Sequence, residues 1–184
     1  GRKEATEDYG LSVDEENPLL LCERQQGVAK ESCDGNFHWT VHSLFTGEGD
    51  FSTRLQSAVN SKVKSTGEIQ AIVWTLGYEE GRHSAAFSGI DESAVRACAK
   101  PPAPFLLRCI HAVSIGIVKH GSPWRQHESL IQYCGFVQKE IPSLEVSECM
   151  RPGIVYIDGF YSRQQFKQAC ANFEEVLGVS CAKS

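Results

Sequence analysis

Eight cysteines and six histidines are the residues best equipped for chemistry in this 184-residue chain. The cysteines are Cys22, Cys33, Cys98, Cys109, Cys134, Cys149, Cys170 and Cys181. No Cys-x-x-Cys pair occurs, which argues against a zinc ribbon or a thioredoxin-like redox pair. Buried reduced thiols are the alternative, but an even, cysteine-rich set is more simply read as disulfides. That reading implies an oxidising compartment and a secreted protein whose signal peptide has been removed. Paired cysteines would leave no thiol to act as a nucleophile.

The histidines offer little chemistry. His38 and His42 share a face if they lie on a strand. They would then be about 13 Å apart at 3.3 Å per residue, too far to hold one metal ion. His111 is expected in a core position, and His120 and His127 in a solvated cap region beside Glu128. Glu79-Glu80 is read as a solvated hairpin tip and Asp158-Gly159 as a strand end or bulge. No Gly-x-Ser-x-Gly, His-Glu-x-x-His or phosphate loop is present, so no enzyme, cofactor or metal is expected. Trp39, Trp74 and Trp124 are the candidates for stacking against a ligand. Trp74 and Phe87 could serve an RNA-binding sheet, but no basic cluster accompanies them, and nucleic acid is not an expected partner.

The elements that must position these residues are suggested by a repeat. Cys98 and Cys109 are eleven residues apart, as are Cys170 and Cys181, and the offset between the pairs is 72. Ala97-Cys98-Ala99 matches Ala169-Cys170-Ala171 at that offset, and Gly81 matches Gly153. The repeat suggests the disulfides Cys98–Cys109 and Cys170–Cys181, leaving Cys134–Cys149 and Cys22–Cys33.

In the first copy, Phe37–Phe45 alternates like a half-buried strand. Asp50 can cap an amphipathic helix over about 51–64, which Ser65-Thr66-Gly67 would stop. Ile69–Tyr78 is rich in β-branched and aromatic residues and predicts a strand. Gly81 would turn it back into a strand over His83–Ser88. Asp91 caps a short helix ended by Pro101-Pro102, and Phe105–Leu107 is a last strand. The second copy repeats that order. Ile110–Lys119 is a strand, and Ser122 caps a long helix beginning at Pro123. Leu144–Cys149 and Ile154–Tyr161 form a hairpin about Gly153. Ser162 caps another helix, and Val176–Ser180 is the final strand.

The expected fold class is therefore α+β: two tandem ferredoxin-like units of order βαββαβ. Each has an antiparallel four-stranded sheet with two helices on one face, stabilised by disulfides. The expected boundaries are an acidic arm at 1–35, repeat one at 36–109 and repeat two at 110–184.

A secreted, cysteine-rich tandem of such units resembles the virus-encoded killer toxin of smut fungi and the secreted effectors of plant-pathogenic fungi that share the fold. The resemblance covers about residues 36–184. It rests on element order, cysteine pattern and duplication. Two features depart from it: both copies lie in one chain with no dibasic pair between them, and the arm with Cys22 and Cys33 is extra. The resemblance implies a non-enzymatic effector or toxin acting on a host protein, receptor or cell surface. An extracellular ligand- or carbohydrate-binding module is the alternative.

Charge sharpens the arm. Residues 1–35 carry nine acidic and four basic groups, while 36–109 and 110–184 each carry seven of either sign. The whole net charge of −5 thus precedes residue 36. No apolar run is long enough to span a membrane, and the first twenty residues have no signal-peptide pattern.

Overall fold

The computed structural model describes residues 49–62 and 66–181. The chain from Asp50 onward clusters as a unit of its own. Its described residues form seven α-helices: α1 (Phe51–Val59), α2 (Thr66–His83), α3 (Ser93–Cys98), α4 (Ala103–His120), α5 (Gln126–Glu140), α6 (Val146–Phe160) and α7 (Arg163–Leu177). A π-turn, Ser84–Ser88, extends α2.

The expected α+β architecture is overturned, because the described residues contain no strand. Ile69–Tyr78 lies within α2, and His83–Ser88 spans its last residue and the π-turn. Phe105–Leu107 and Ile110–Lys119 both lie within α4, so the expected boundary at 109/110 falls in the middle of one helix. Most of Leu144–Cys149 and Ile154–Tyr161 lies within α6. Val176 and Leu177 close α7. The segment Phe37–Phe45, the arm at 1–35, Trp39, His38, His42, Cys22 and Cys33 lie outside the described residues.

The cause is visible in α4. Every residue from Ala112 to Val118 is buried. A helix covered on most of its circumference shows a continuous apolar run, and β-branched residues then imitate a strand. The segments α1, α3, α5 and α7 are the ones expected as helices, and they are helical; α6 also buries a single face, through Cys149, Met150, Gly153 and Ile157, but Pro152-Gly153 reads as a hairpin turn.

Local chemistry sets the helix ends. Asp50 accepts a hydrogen bond from the Thr53 amide at 2.8 Å and caps α1. Ser162 and Gln165 form a capping box at the start of α7. Gly178 ends that helix in the left-handed region at φ 68°. Ser122 does not cap α5, which starts later, at Gln126. Between them Trp124 takes φ 65°, a conformation that costs a side-chain-bearing residue about 1–3 kcal/mol.

Gly81 and Gly153 are not turn residues. They are places where helices touch. A Cβ on Gly81 would lie 2.2 Å from the Val113 carbonyl oxygen, and one on Gly116 would lie 2.3 Å from that of Tyr78. The pairs Gly77/Gly81 on α2 and Ala112/Gly116 on α4 thus bring two backbones together at i, i+4 spacing. Gly153 admits Leu130 from α5, whose Cδ2 would sit 2.5 Å from an added Cβ.

Three disulfides staple the helices. Cys98–Cys109 joins α3 to α4, Cys134–Cys149 joins α5 to α6, and Cys170–Cys181 ties the tail back to α7. These are three of the four pairings suggested by the spacing. Closing loops of this length contributes roughly 3 kcal/mol each in the chain-entropy account.

Pro152 sits inside α6. It has no amide hydrogen, so the carbonyl of Glu148 loses its helical donor. The half-buried His111 ring on α4 lies near that carbonyl, which partly offsets the lowering of its pKa by burial. One turn along, the buried Ser114 hydroxyl lies 2.9 Å from the Ile110 carbonyl and 3.1 Å from that of Cys149. Ser114 of the central helix thus adds a hydrogen bond across to the turn of α6 that holds Pro152.

Candidate functional site

Aromatic side chains from two helices, α2 and α6, gather along one stripe of α4. Ala112 and Ile115 are buried there against Tyr78, with Trp74 of α2 and Tyr156 of α6 packed on them. The backbone contact at Gly81 and Gly116 holds α2 close enough for its rings to cover α4. Two cations flank the rings. The Arg108 guanidinium lies 4.3 Å from the Trp74 ring centroid. Lys119 Nζ lies 4.8 Å from the Tyr156 centroid and 5.6 Å from that of Tyr78. These distances fall in the cation–π range. On α6, Tyr156 stacks on Phe160 with 6.4 Å between centroids. Phe160 and Val155 are 58% and 68% exposed, so the cluster continues as an apolar surface.

The polar groups of this face are tied down. Tyr78 Oη is 2.9 Å from His120 Nε2, and the rings meet edge to face. Burial pushes the Tyr78 phenol up and the His120 imidazole down; Arg82 and Lys119 add to the latter. Burial likewise lowers the Arg108 pKa. Arg82 pairs with Glu79 at 2.8 Å and Arg151 with Glu148 at 2.6 Å.

A second constellation sits where α5 begins and α6 ends. His127 is buried. Its Nδ1 is 3.0 Å from Tyr161 Oη, and its Nε2 is 3.2 Å from Asn172 Nδ2. Tyr161 donates to Gln126 Oε1 at 2.9 Å. Trp124 covers this group, 6.0 Å from the Tyr161 ring, and is 57% exposed. The donors and acceptors form a closed chain for a neutral imidazole. Burial lowers the His127 pKa, with Arg125 adding to the effect and Glu128 opposing it. Such a network orders a helix junction.

Glu80 and Tyr133 form a third group between helices. Burial raises both pKa values, that of Tyr133 strongly, and the Glu80 charge adds to the Tyr133 shift. Among the described residues the Tyr133 hydroxyl has no hydrogen-bond partner. Glu80 is thus a partly buried carboxyl rather than a solvated hairpin tip. Asp158-Gly159 lies in the last turn of α6 rather than in a strand.

Of the aromatic candidates, Trp74 belongs to the α4 stripe and Trp124 to the His127 group, so these two contact different neighbours. Phe87 is 75% exposed on the π-turn, where no sheet exists to present it. Arg108, Lys119, Tyr78, Tyr156 and Phe160 are not among the candidates that the sequence singles out. Arg108 and Lys119 are eleven apart on α4 and Tyr156 and Phe160 four apart on α6, a signal available only once these segments are recognised as helical. Among the described residues no group of three or more His, Cys, Asp or Glu side chains could hold a metal ion. No helix among them is long and apolar enough to cross a membrane.

No protein-family model, curated protein or solved structure matches the chain.

Proposed function

We propose that this chain is an extracellular, disulfide-stapled helical binding protein that acts by contact with a partner protein rather than by catalysis. The face formed by Trp74, Arg108, Lys119, Tyr156 and Phe160, with buried Tyr78 beneath it, carries this reading. Tryptophan, tyrosine and arginine are the residues that supply most binding energy at protein interfaces. Here they sit on rigid helices, which keeps the entropic cost of binding low. A secreted effector or toxin acting on another cell would work through such a face. The element order that linked the chain to killer toxins is missing from the described residues, so the surface supports the proposal and the fold does not.

The test places a photo-crosslinking benzoylphenylalanine at position 160. The protein is then exposed to extracellular fluid and cells of candidate target tissue. A discrete adduct is expected from position 160 and none from Gln168, an exposed position on α7. Equal yields from both positions, or no adduct at 160, would sink the reading.

A further inference from the structure

The chemistry of the partner can be read from the same face; this inference rests on the binding role proposed above. Arg108, Ala112, Ile115 and Lys119 occur at i, i+4, i+7 and i+11 on α4 and so share one stripe of that helix. At 1.5 Å per residue the stripe separates its two cations by about 16 Å. Between them lie the rings of Trp74 and Tyr156 over buried Tyr78, Ala112 and Ile115.

Neither cation has a carboxylate partner among the described residues. Their cationic neighbours do: Arg82 of α2 is held by Glu79, and Arg151 of α6 by Glu148. The uncompensated charge of the face is therefore positive and lies at its two ends. The guanidinium of Arg108 is partly desolvated, and no nearby carboxylate offsets that cost. An arriving carboxylate would gain a cation already positioned by a ring, with little side-chain entropy left to lose.

We propose that the face receives an acidic amphipathic helix of a partner protein. Its apolar side chains would pack on Tyr156, Phe160 and the edge of Trp74. Two of its carboxylates, eleven residues apart, would reach Arg108 and Lys119. Helix-in-groove recognition uses this kind of spacing. A sulfated glycan or an anionic membrane rewards clustered cations, and two charges separated by three helical turns do not provide a cluster.

The experiment uses two synthetic 18-residue amphipathic helices with identical apolar positions. One carries Glu at two positions eleven apart, the other Lys. Binding to the full chain is followed by calorimetry and by the indole signal of Trp74. The Glu peptide is expected to bind at least tenfold more tightly at low salt, and the advantage should shrink as salt is added. The exposed double variant R108E/K119E should keep its helical circular dichroism and prefer the Lys peptide instead. Equal affinity for both peptides, no binding of either, or an unchanged preference in R108E/K119E would overturn the proposal. Tighter binding of a heparin fragment or of phosphatidylserine vesicles than of the Glu peptide would also overturn it. So would a homodimer that Y156A/F160S dissolves. Y156A/F160S separates the two levels of the argument. If it weakens both peptides while R108E/K119E changes nothing, the binding face survives and the acidic partner does not. If it weakens neither, the face itself is wrong.

Discussion

Gly116 on α4 lies so close to Gly81 on α2 that a Cβ built on Gly116 would sit 3.1 Å from the Gly81 carbonyl carbon. The two helices meet backbone to backbone, and the aromatic face exists because they do. Alanine is ordinarily better than glycine inside a helix by about 1 kcal/mol. Here the sign reverses. Gly81→Ala and Gly116→Ala should each destabilise the fold by roughly 2 kcal/mol or more, through forced separation of the helices. Gly159→Ala, with open space around its Cβ, should be neutral or slightly stabilising. Urea unfolding midpoints check all three. Equal effects at 81 and 159 would remove the contact from the account.

The disulfides should not contribute equally. Cys98, Cys109, Cys134 and Cys149 are fully buried, whereas Cys170 and Cys181 are partly exposed. Reduction depends on access of the attacking thiolate. Limited dithiothreitol should therefore open Cys170–Cys181 first, as read by alkylation and peptide mass mapping. The double serine variant there should lose less than the roughly 3 kcal/mol expected from loop closure, because it frees only the tail. Replacing Cys134 and Cys149 should cost more, since buried sulfur packing is lost as well.

Acid should weaken the fold in two separate steps. The pKa values of His111, His120 and His127 are all lowered in the folded protein, mainly by burial. A lowered histidine pKa means that the unfolded chain binds protons first. The stability is complete above about pH 6.5 and is lost as pH falls from there through the folded values. Asp50, Glu92 and Glu128 are lowered by hydrogen bonds to Thr53, Lys139 and Arg125 respectively. Their contribution is complete above about pH 4.5 and is lost as pH falls further, so the decline begins a second time there. Glu80 works in the opposite direction. Burial raises its pKa, so its contribution is present below the unfolded value and fades as pH rises through the folded one. Urea midpoints between pH 8 and pH 3 should show a first decline near neutrality that His127→Gln makes shallower.

Much of this was legible in particular residues, and the failures have physical causes. Asp50 and Ser162 announced helix starts because a cap is a local interaction between a side chain and nearby amides. The cysteine spacing suggested the three pairs found among the described residues. Ile110–Lys119 misled because it is buried nearly all round, and a segment with no wet face has no period to read. Gly81 and Gly153 share the 72-residue offset, but glycine marks close backbone approach as readily as it marks a turn. Misplacing those helices hid the stripe from Arg108 to Lys119, because four side chains at helical spacing fall on no common face of a strand. The site was thus lost with the period rather than through any obscurity in its residues.

The junction around His127 gives a sharp spectroscopic prediction. Asn172 Nδ2 can only donate, so His127 Nε2 must accept and Nδ1 must carry the proton. That proton is given to Tyr161 Oη, which passes its own to Gln126 Oε1. Nitrogen-detected histidine spectra at pH 7.5 should therefore show His127 as a neutral Nδ1–H tautomer. Tyr161→Phe removes the acceptor and leaves a buried N–H unpaired, which costs about 1–3 kcal/mol. The ring should then drift toward the other tautomer, if Asn172 turns its amide to present oxygen. Asn172→Asp would reward a proton on both nitrogens and raise the His127 pKa. Trp124 rests on this group through Tyr161, so its fluorescence should titrate with His127 in the native protein and at higher pH in Asn172→Asp. A Trp124 signal that ignores pH in both proteins would uncouple the exposed indole from the buried network.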